Sequence, residues 1–399
     1  MATLNDPGRW KKQYPHLGTE PIPIEANVSR EWFDLERDKI FRRSWLYVGR
    51  NDELKSPGDY LTRNIAVLGV SVLIICGKDG KIRAFHNVCK HRGNTLARNA
   101  EGHANQLTCD YHGWTYDLQG QLRFVPDEAQ FSELQRPDCA LKPIALEIWE
   151  GFIFINLSPP PGVTLEKSLA EFARDLKGFP FAEMTKVVSY STEIKANWKI
   201  VMGIFQEGYH VPTLHNSAVA DAGTGPDNPF GYPLSLKLYE RNRSISVYLN
   251  PHHAPTPAES LAYKYGASLL GPEGGLPQGV NPLRDSHWLF DANVIFPNLI
   301  LDLSSAAFWT FQFSPLAVDL TSFEANFYMR PARNAGERIA QEYNKIILRE
   351  TLREDLKVHE DIQANMASGA LDHIYLSDQE IAIRHFYKVV DDLIHDHAS

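Results

Sequence analysis

Four cysteines in 399 residues are too few for a disulfide scaffold, so a reducing cytoplasm is the expected setting. Long apolar runs are missing as well. The longest, Ile65 to Cys76, is too short to span a bilayer and contains Gly69 and Ser71, so no membrane association is expected. Residues 1–10 lack the apolar core of a secretory signal. Positive charge is in short supply: 40 lysines and arginines face 49 aspartates and glutamates, a net charge of −9 with no long basic run, which argues against a nucleic-acid partner. The sequence has no internal repeat, no low-complexity tract and no strand–GxGxxG–helix unit, and the glycine-rich stretch 271–279 lacks the Lys-Ser/Thr of a phosphate loop. The absence of a dinucleotide-binding unit has a chemical consequence. Any redox reaction here must draw its electrons from another protein.

What is present has the composition of a folded protein, with 43% apolar and 22% charged residues, enough to exclude a disordered or fibrous chain. The run Ser158-Pro159-Pro160-Pro161-Gly162 can continue neither strand nor helix and marks a boundary. Three segments are therefore expected: a helical stretch over 1–44 that packs on the last segment, a β-rich domain over 45–158, and a mixed domain over 159–399. In the second, Ile65–Cys76 and Lys81–Cys89 flank the turn Lys78-Asp79-Gly80 as a hairpin, and Gly151–Leu157 reads as a buried strand. In the third, 165–176 and 196–209 read as helices, 244–249, 293–296 and 308–313 as strands, and 337–366 as one long amphipathic stretch.

Within the β-rich part, Cys89-Lys90-His91 and Cys109-Asp110-Tyr111-His112 form a C-x-H-x17-C-x2-H pattern, each half beside a glycine (Gly93, Gly113) that permits a tight loop. A zinc finger takes both cysteines from one half and both histidines from the other; here each loop offers one of each. A binuclear cluster with two Cys on one iron and two His on the other needs this arrangement, which is the Rieske [2Fe–2S] centre. A Cys2His2 zinc site is the bland alternative. Cys76 and Cys139 read as ordinary small side chains.

A second constellation follows in the 196–209 helix, which is apolar on nearly every side yet leads into Glu207, His210 and His215. A buried carboxylate must be paired, metal-bound or neutral. Glu207 and His210 are three apart and share a helix face, whereas His210 and His215, five apart, sit about 140° around an ideal helix. They can meet at one metal only if the helix breaks, and Pro212 is placed to break it. Two imidazoles and a carboxylate with open positions opposite suit a non-heme Fe(II) oxygenase. Counting around the C-terminal helix, Asp355 falls within about 60° of the stripe Leu352–Leu356–Ile362–Met366, while Glu354 and Asp361 point away from it. Asp355 is thus the expected third ligand, with His359 and Glu207 as rivals; Glu-x-x-His also occurs in di-iron proteins, but those carry it twice.

At these segments the chain resembles the Rieske non-heme iron oxygenases, specifically the α-subunit of aromatic-ring-hydroxylating dioxygenases. The resemblance is carried by Cys89–Gly93, Cys109–Trp114, Asn197-Trp198-Lys199, Glu207–His215 and Glu354–Glu360, in the family's order, and covers nearly the whole chain. It implies an α+β fold, with an all-β Rieske [2Fe–2S] domain inserted ahead of a helix-grip catalytic domain of antiparallel sheet plus helices. It implies a terminal oxygenase that hydroxylates an organic, aromatic substrate with O2. Cys89, His91, Cys109 and His112 would hold the cluster; His210, His215 and Asp355 would hold Fe(II); Met202, Phe205 and Leu214 would line the pocket. Electrons would come from NAD(P)H through a separate flavin reductase, a ferredoxin or both, to a head-to-tail homotrimer with or without a β-subunit. One departure is Glu207, which occupies the bridging position where the family usually has Asp. Glu there resembles the branch that oxidises carnitine-type quaternary amines, which makes a monooxygenase or demethylase of such a substrate the alternative outcome. A zinc-binding protein without redox chemistry and a pure electron carrier are the more distant readings.

Overall fold

Val70–Cys76 (β3) and Ile82–His86 (β4), rich in β-branched residues, pair antiparallel across a turn in which Gly80 has φ 73°. Asp79 fixes that turn by accepting from the Lys81 amide at 3.2 Å and from both arms of Arg83 at 2.8 and 2.7 Å. Around this hairpin Leu46–Arg50 (β1), Asp59–Ile65 (β2), Glu101–His103 (β5), Pro143–Trp149 (β9) and Phe152–Asn156 (β10) complete a seven-stranded sheet of order β1-β10-β9-β4-β3-β2-β5. Leu107–Thr108 (β6), Thr115–Tyr116 (β7) and Leu122–Phe124 (β8) form a second, smaller sheet. Its core joins Leu73, Ile75 and Phe85 to Cys89, Cys109, Trp114 and Tyr116, so both Cys/His loops are rooted in packed side chains.

The computed structural model describes residues 4–158, 160–215, 219, 221–270 and 275–396; Pro159 and residues 271–274 of the glycine-rich stretch lie outside them. It divides into two units, Arg37–Leu165 and a second formed by Met1–Glu36 with Glu166–Ser399. Among the described residues no helix is long and apolar enough to cross a membrane.

The second unit is built on another seven-stranded antiparallel sheet, from Thr185–Ile194 (β11), Ser235–Leu238 (β12), Arg243–Tyr248 (β13), Trp288–Ile295 (β14), Leu299–Leu303 (β15), Ala307–Ala317 (β16) and Leu320–Met329 (β17). Its order is β11-β17-β16-β15-β14-β13-β12, a meander closed by the first strand on the last. Register sets which residues share a face. One row runs Arg243, Val294, Ile300, Phe311, Ala325, and the next runs Ile245, Ala292, Asp302, Trp309, Phe327. This inner face carries the helices. Phe205 rests on Phe311, Phe313 and Phe323 with ring centroids 4.8–5.8 Å apart. Trp10 and Leu17 from the N-terminal stretch pack with Ile245, Ala292 and residues of the helix Ile381–Ile394. The opposite face stacks Phe308 on Tyr328 at 4.3 Å.

The helices depart from the sequence-based expectation in two places, and both matter. The 196–209 helix is shorter: Trp198–Gly203 (α1), capped by the Asn197 side chain on the Lys199 amide, passes through a single tight turn to Gln206, and Glu207 is extended at φ −152°, ψ 164°. Glu207 leaves the helix because its own carboxylate accepts from the amides of Tyr209 and His210 and so caps the next turn. Pro212 therefore starts a new short helix, Val211–Leu214 (α2), instead of breaking an old one. The 337–366 stretch is likewise two helices, Ala335–Leu356 (α3) and His359–Ala367 (α4). The Lys357 amide turns back to the Glu354 carbonyl three residues earlier, tightening the chain between them. Beneath α1, Lys199 Nζ and Trp198 Nε1 both donate to Glu36, at 2.5 and 2.7 Å, a fully buried pair that ties α1 to the N-terminal helical stretch.

Candidate metal centres

The two Cys/His loops are folded alike. In each, the cysteine amide takes the carbonyl five residues on (Asn94, Trp114), and the glycine four residues on returns its amide to the cysteine carbonyl, all at 2.8–3.0 Å. Gly93 and Gly113 turn the chain with φ 81° and 72°. The result sorts the four side chains into two pairs. Cys89 and Cys109 are free thiols, 1% and 2% exposed, and interact with each other. His91 and His112 are half-buried, with their Nδ1 atoms 3.1 Å apart. Burial and the neighbouring His112 lower the His91 pKa, favouring the neutral form a metal needs. Trp114 stacks on His91 at 4.9 Å. Two residues not singled out from the sequence contact the sulfurs, Tyr116 OH on Cys89 and Asn94 Nδ2 on Cys109, each at 3.5 Å. A thiol pair within and an imidazole pair at the rim is a donor set that fits a [2Fe–2S] cluster with mixed ligation.

In the second unit the structure brings His210, His215 and Asp355 together. His210 and His215 flank α2, at its first and last caps, so one helical turn points both rings inward with their Nε2 atoms 3.2 Å apart. Asp355, on the last turn of α3, places Oδ1 2.9 Å from His215 Nε2 and 3.6 Å from His210 Nε2. That oxygen is buried yet makes no hydrogen bond. Two imidazole nitrogens and a carboxylate oxygen drawn this close together are a donor set that a metal would satisfy.

Each imidazole is turned by a carboxylate on its far side. His210 Nδ1 donates to Glu207 Oε1, and His215 Nδ1 donates to Glu354 Oε2 at 3.0 Å. A carboxylate can only accept, so both rings are held with Nδ1 protonated and the Nε2 lone pair facing the common point. Burial lowers the His215 pKa, but the Asp355 and Glu354 carboxylates outweigh it and the net shift is upward. Two expectations are corrected here. Glu207 reaches His210 across a capped turn and not along a helix face, and Glu354, placed off the apolar stripe by counting, points at His215. The stripe identifies residues facing the core; His215 sits beside that stripe, so Glu354 needed only to lie at its edge.

His359, the rival to Asp355, is outside this group. It is buried with both ring nitrogens unpartnered, and burial, then His210, lower its pKa to about 4. Of the expected pocket residues, Met202 is buried and its carbonyl accepts from Gln206, Phe205 is half-buried on the sheet, and Leu214 is half-buried on α2.

Comparison with known proteins agrees with this division. Residues 44–143 match the model of the Rieske [2Fe–2S] domain, and residues 181–396 match that of the ring hydroxylating alpha subunit (catalytic domain). The carnitine monooxygenase oxygenase subunit of Acinetobacter pittii is 34% identical over 196 residues, 49% of this chain and 52% of that protein. The glycine betaine monooxygenase oxygenase subunit of Chromohalobacter salexigens is 34% identical over 245 residues, 59% of this chain and 51% of that one. The chain thus spans about half the length of the curated relatives it matches. Its fold is that of a solved quaternary ammonium Rieske monooxygenase (TM-score 0.76, 22% identity, 95% and 97% of the two chains) and of naphthalene 1,2-dioxygenase from Rhodococcus sp. (TM-score 0.74, 22% identity, 95% of each).

Proposed function

Since the chain belongs to the Rieske non-heme iron oxygenases, in the family of ring hydroxylating alpha subunits, we propose that it is a terminal oxygenase that inserts oxygen from O2 into a quaternary ammonium or amine substrate. The observation that carries the oxygenase reading is the meeting of His210, His215 and Asp355 at one point with an oriented carboxylate behind each imidazole. The substrate class is supported by the relatives that act on carnitine and glycine betaine, and by a glutamate at position 207. Hydroxylation of an aromatic ring, the first expectation from the sequence, is the competing outcome.

Cys89, His91, Cys109 and His112 would hold the cluster and His210, His215 and Asp355 the Fe(II); when bound, these supply the electrons and the site for O2 activation. The protein's own contribution is orientation. Glu207 and Glu354 fix the tautomer of both iron histidines, so that their Nε2 lone pairs and Asp355 Oδ1 face one point. The electron supply belongs to the same proposal: NAD(P)H through a separate reductase or ferredoxin, a homotrimer with or without a β-subunit, and a cytoplasmic setting.

The test offers iron-loaded protein, a Rieske-compatible reductase and NADH to carnitine, glycine betaine and choline beside benzoate and naphthalene, following O2 uptake and products by mass spectrometry. Coupled oxidation of at least one ammonium compound is expected. Coupled turnover of the aromatic compounds alone would replace this reading with ring hydroxylation.

A further inference from the structure

The inner face of the second unit's sheet carries a carboxylate that neither metal centre uses. Asp302 stands on β15 between Ala292 on β14 and Trp309 on β16, in the row next to Ile300 and Phe311. It is 4% exposed; Trp309 bonds its side chain, and Oδ1 is buried with no partner. Among the described residues the other charge acting on it is that of Asp291, which has the same sign, and burial followed by Asp291 holds its pKa well above the usual carboxylate range. A carboxylate left like this is costly unless something positive meets it.

Aromatic residues flank it on the same face of the sheet. Phe290 and Trp309 reach over the intervening strand to within 5.3 Å of each other, and Trp309 meets Phe327 at 5.7 Å. Phe205, Phe290 and Trp309 are only half-buried although they stand on the covered face of the sheet, which leaves room between sheet and helices. An element that leads to the iron ligands lies on this same face, since Phe205, which rests on Phe311, stands five residues before His210. Leu348 of α3 packs beside Trp309, and Asp355 lies seven residues further along the same helix, two turns on and on the same face.

We propose that Asp302, with Trp309 and Phe290, is the subsite for the cationic head of the substrate, a trimethylammonium or protonated amine group. This rests on the function proposed above. A quaternary ammonium has no N–H to donate, so charge and aromatic faces must recognise it; the rings are in place, and a bound cation would favour the ionised form of Asp302 that burial and Asp291 oppose. The same arrangement repels neutral hydrocarbon less than it attracts a cation, which makes Asp302 a determinant of specificity for the ammonium class.

Calorimetry on the iron-loaded holoenzyme tests this with two isosteric pairs: glycine betaine against 3,3-dimethylbutanoate, and choline against 3,3-dimethylbutan-1-ol. The charged member is expected to bind about tenfold or more tightly. Asp302→Asn, which keeps an oxygen for Trp309, should remove that preference while the neutral isostere stays within about twofold. The cluster absorption and circular dichroism of the variant check its fold. If it does not fold, the wild-type pairs decide: no preference for the charged member overturns the subsite. Oxidation of an ammonium compound with affinity indifferent to Asp302→Asn would defeat the subsite alone. Failure of wild-type protein to bind any ammonium probe would defeat both it and the proposed function.

Discussion

Glu207 accepts three N–H groups on two oxygens: the amides of Tyr209 and His210 on Oε2 and the His210 ring on Oε1. Glutamine has one acceptor oxygen, so it cannot replace this pattern. With its oxygen toward the backbone it offers N–H to His210 Nδ1 and drives the ring to the tautomer whose Nε2 is protonated; turned the other way it sets N–H against N–H. Glu207→Gln is therefore expected to weaken mononuclear iron binding about 10–100-fold, and Glu354→Ala to do the same through His215. Asp355→Ala should lose that iron outright, whereas His359→Ala should keep it. Iron titration with the cluster absorption as internal reference reads all four. If Asp355→Ala keeps iron and His359→Ala loses it, the ligand assignment is wrong. The residues that the structure brings together, His210, His215 and Asp355, stood out in the sequence because His and buried acids are rare in apolar surroundings. Glu354 did not, since an acid at the edge of an apolar stripe looks like any solvated residue until its partner is placed.

At the scale of elements, what brings His210 and His215 together is a loop where a helix was expected. Periodicity reads the apolar run 198–206 correctly as buried, but it cannot see that Glu207 prefers to cap the following turn with its own side chain. Nor does it see Gly208. A Cβ there would collide with the carbonyl of Gly231, and a Cβ on Gly231 with that of Gly208, so the two backbones approach as only glycines allow. Some strands, those within 151–157, 244–249 and 308–313 among them, were legible because alternation and β-branched runs report directly on a pleated surface. But β11, β15 and β17 were not read, and the expected strand 65–76 is divided by a turn at Ala66–Leu68. The close approach yields a prediction. Gly208→Ala must push the 207–210 segment off the 231 segment and carry His210 with it. It should lower mononuclear iron content severalfold while leaving the visible spectrum of the cluster unchanged, because the Cys/His loops belong to the other unit. Full iron occupancy in Gly208→Ala would mean that the contact is slack and the histidines are set by their carboxylates alone.

For the whole molecule the governing quantity is the number of electrons. Adding one oxygen atom to a substrate and releasing the other as water takes two electrons and two protons beyond the substrate's own pair. The sequence has no dinucleotide-binding unit, so NADH and substrate mixed with this chain alone should give no product. A [2Fe–2S] cluster stores one electron and an Fe(II) site can give up another, so one fully reduced chain holds what a single monooxygenation needs. Dithionite-reduced protein, freed of excess reductant and mixed with substrate and O2, is expected to form about one product per chain and then stop, until a reductase and NADH are added. Asp355→Ala, with its cluster intact, should form none in the same experiment, which ties the burst to the iron and not to the cluster. Sustained NADH-driven turnover by the isolated chain would reveal a cofactor site that its sequence does not announce. A burst well beyond one product per chain would show that the protein stores more electrons than two such centres can hold.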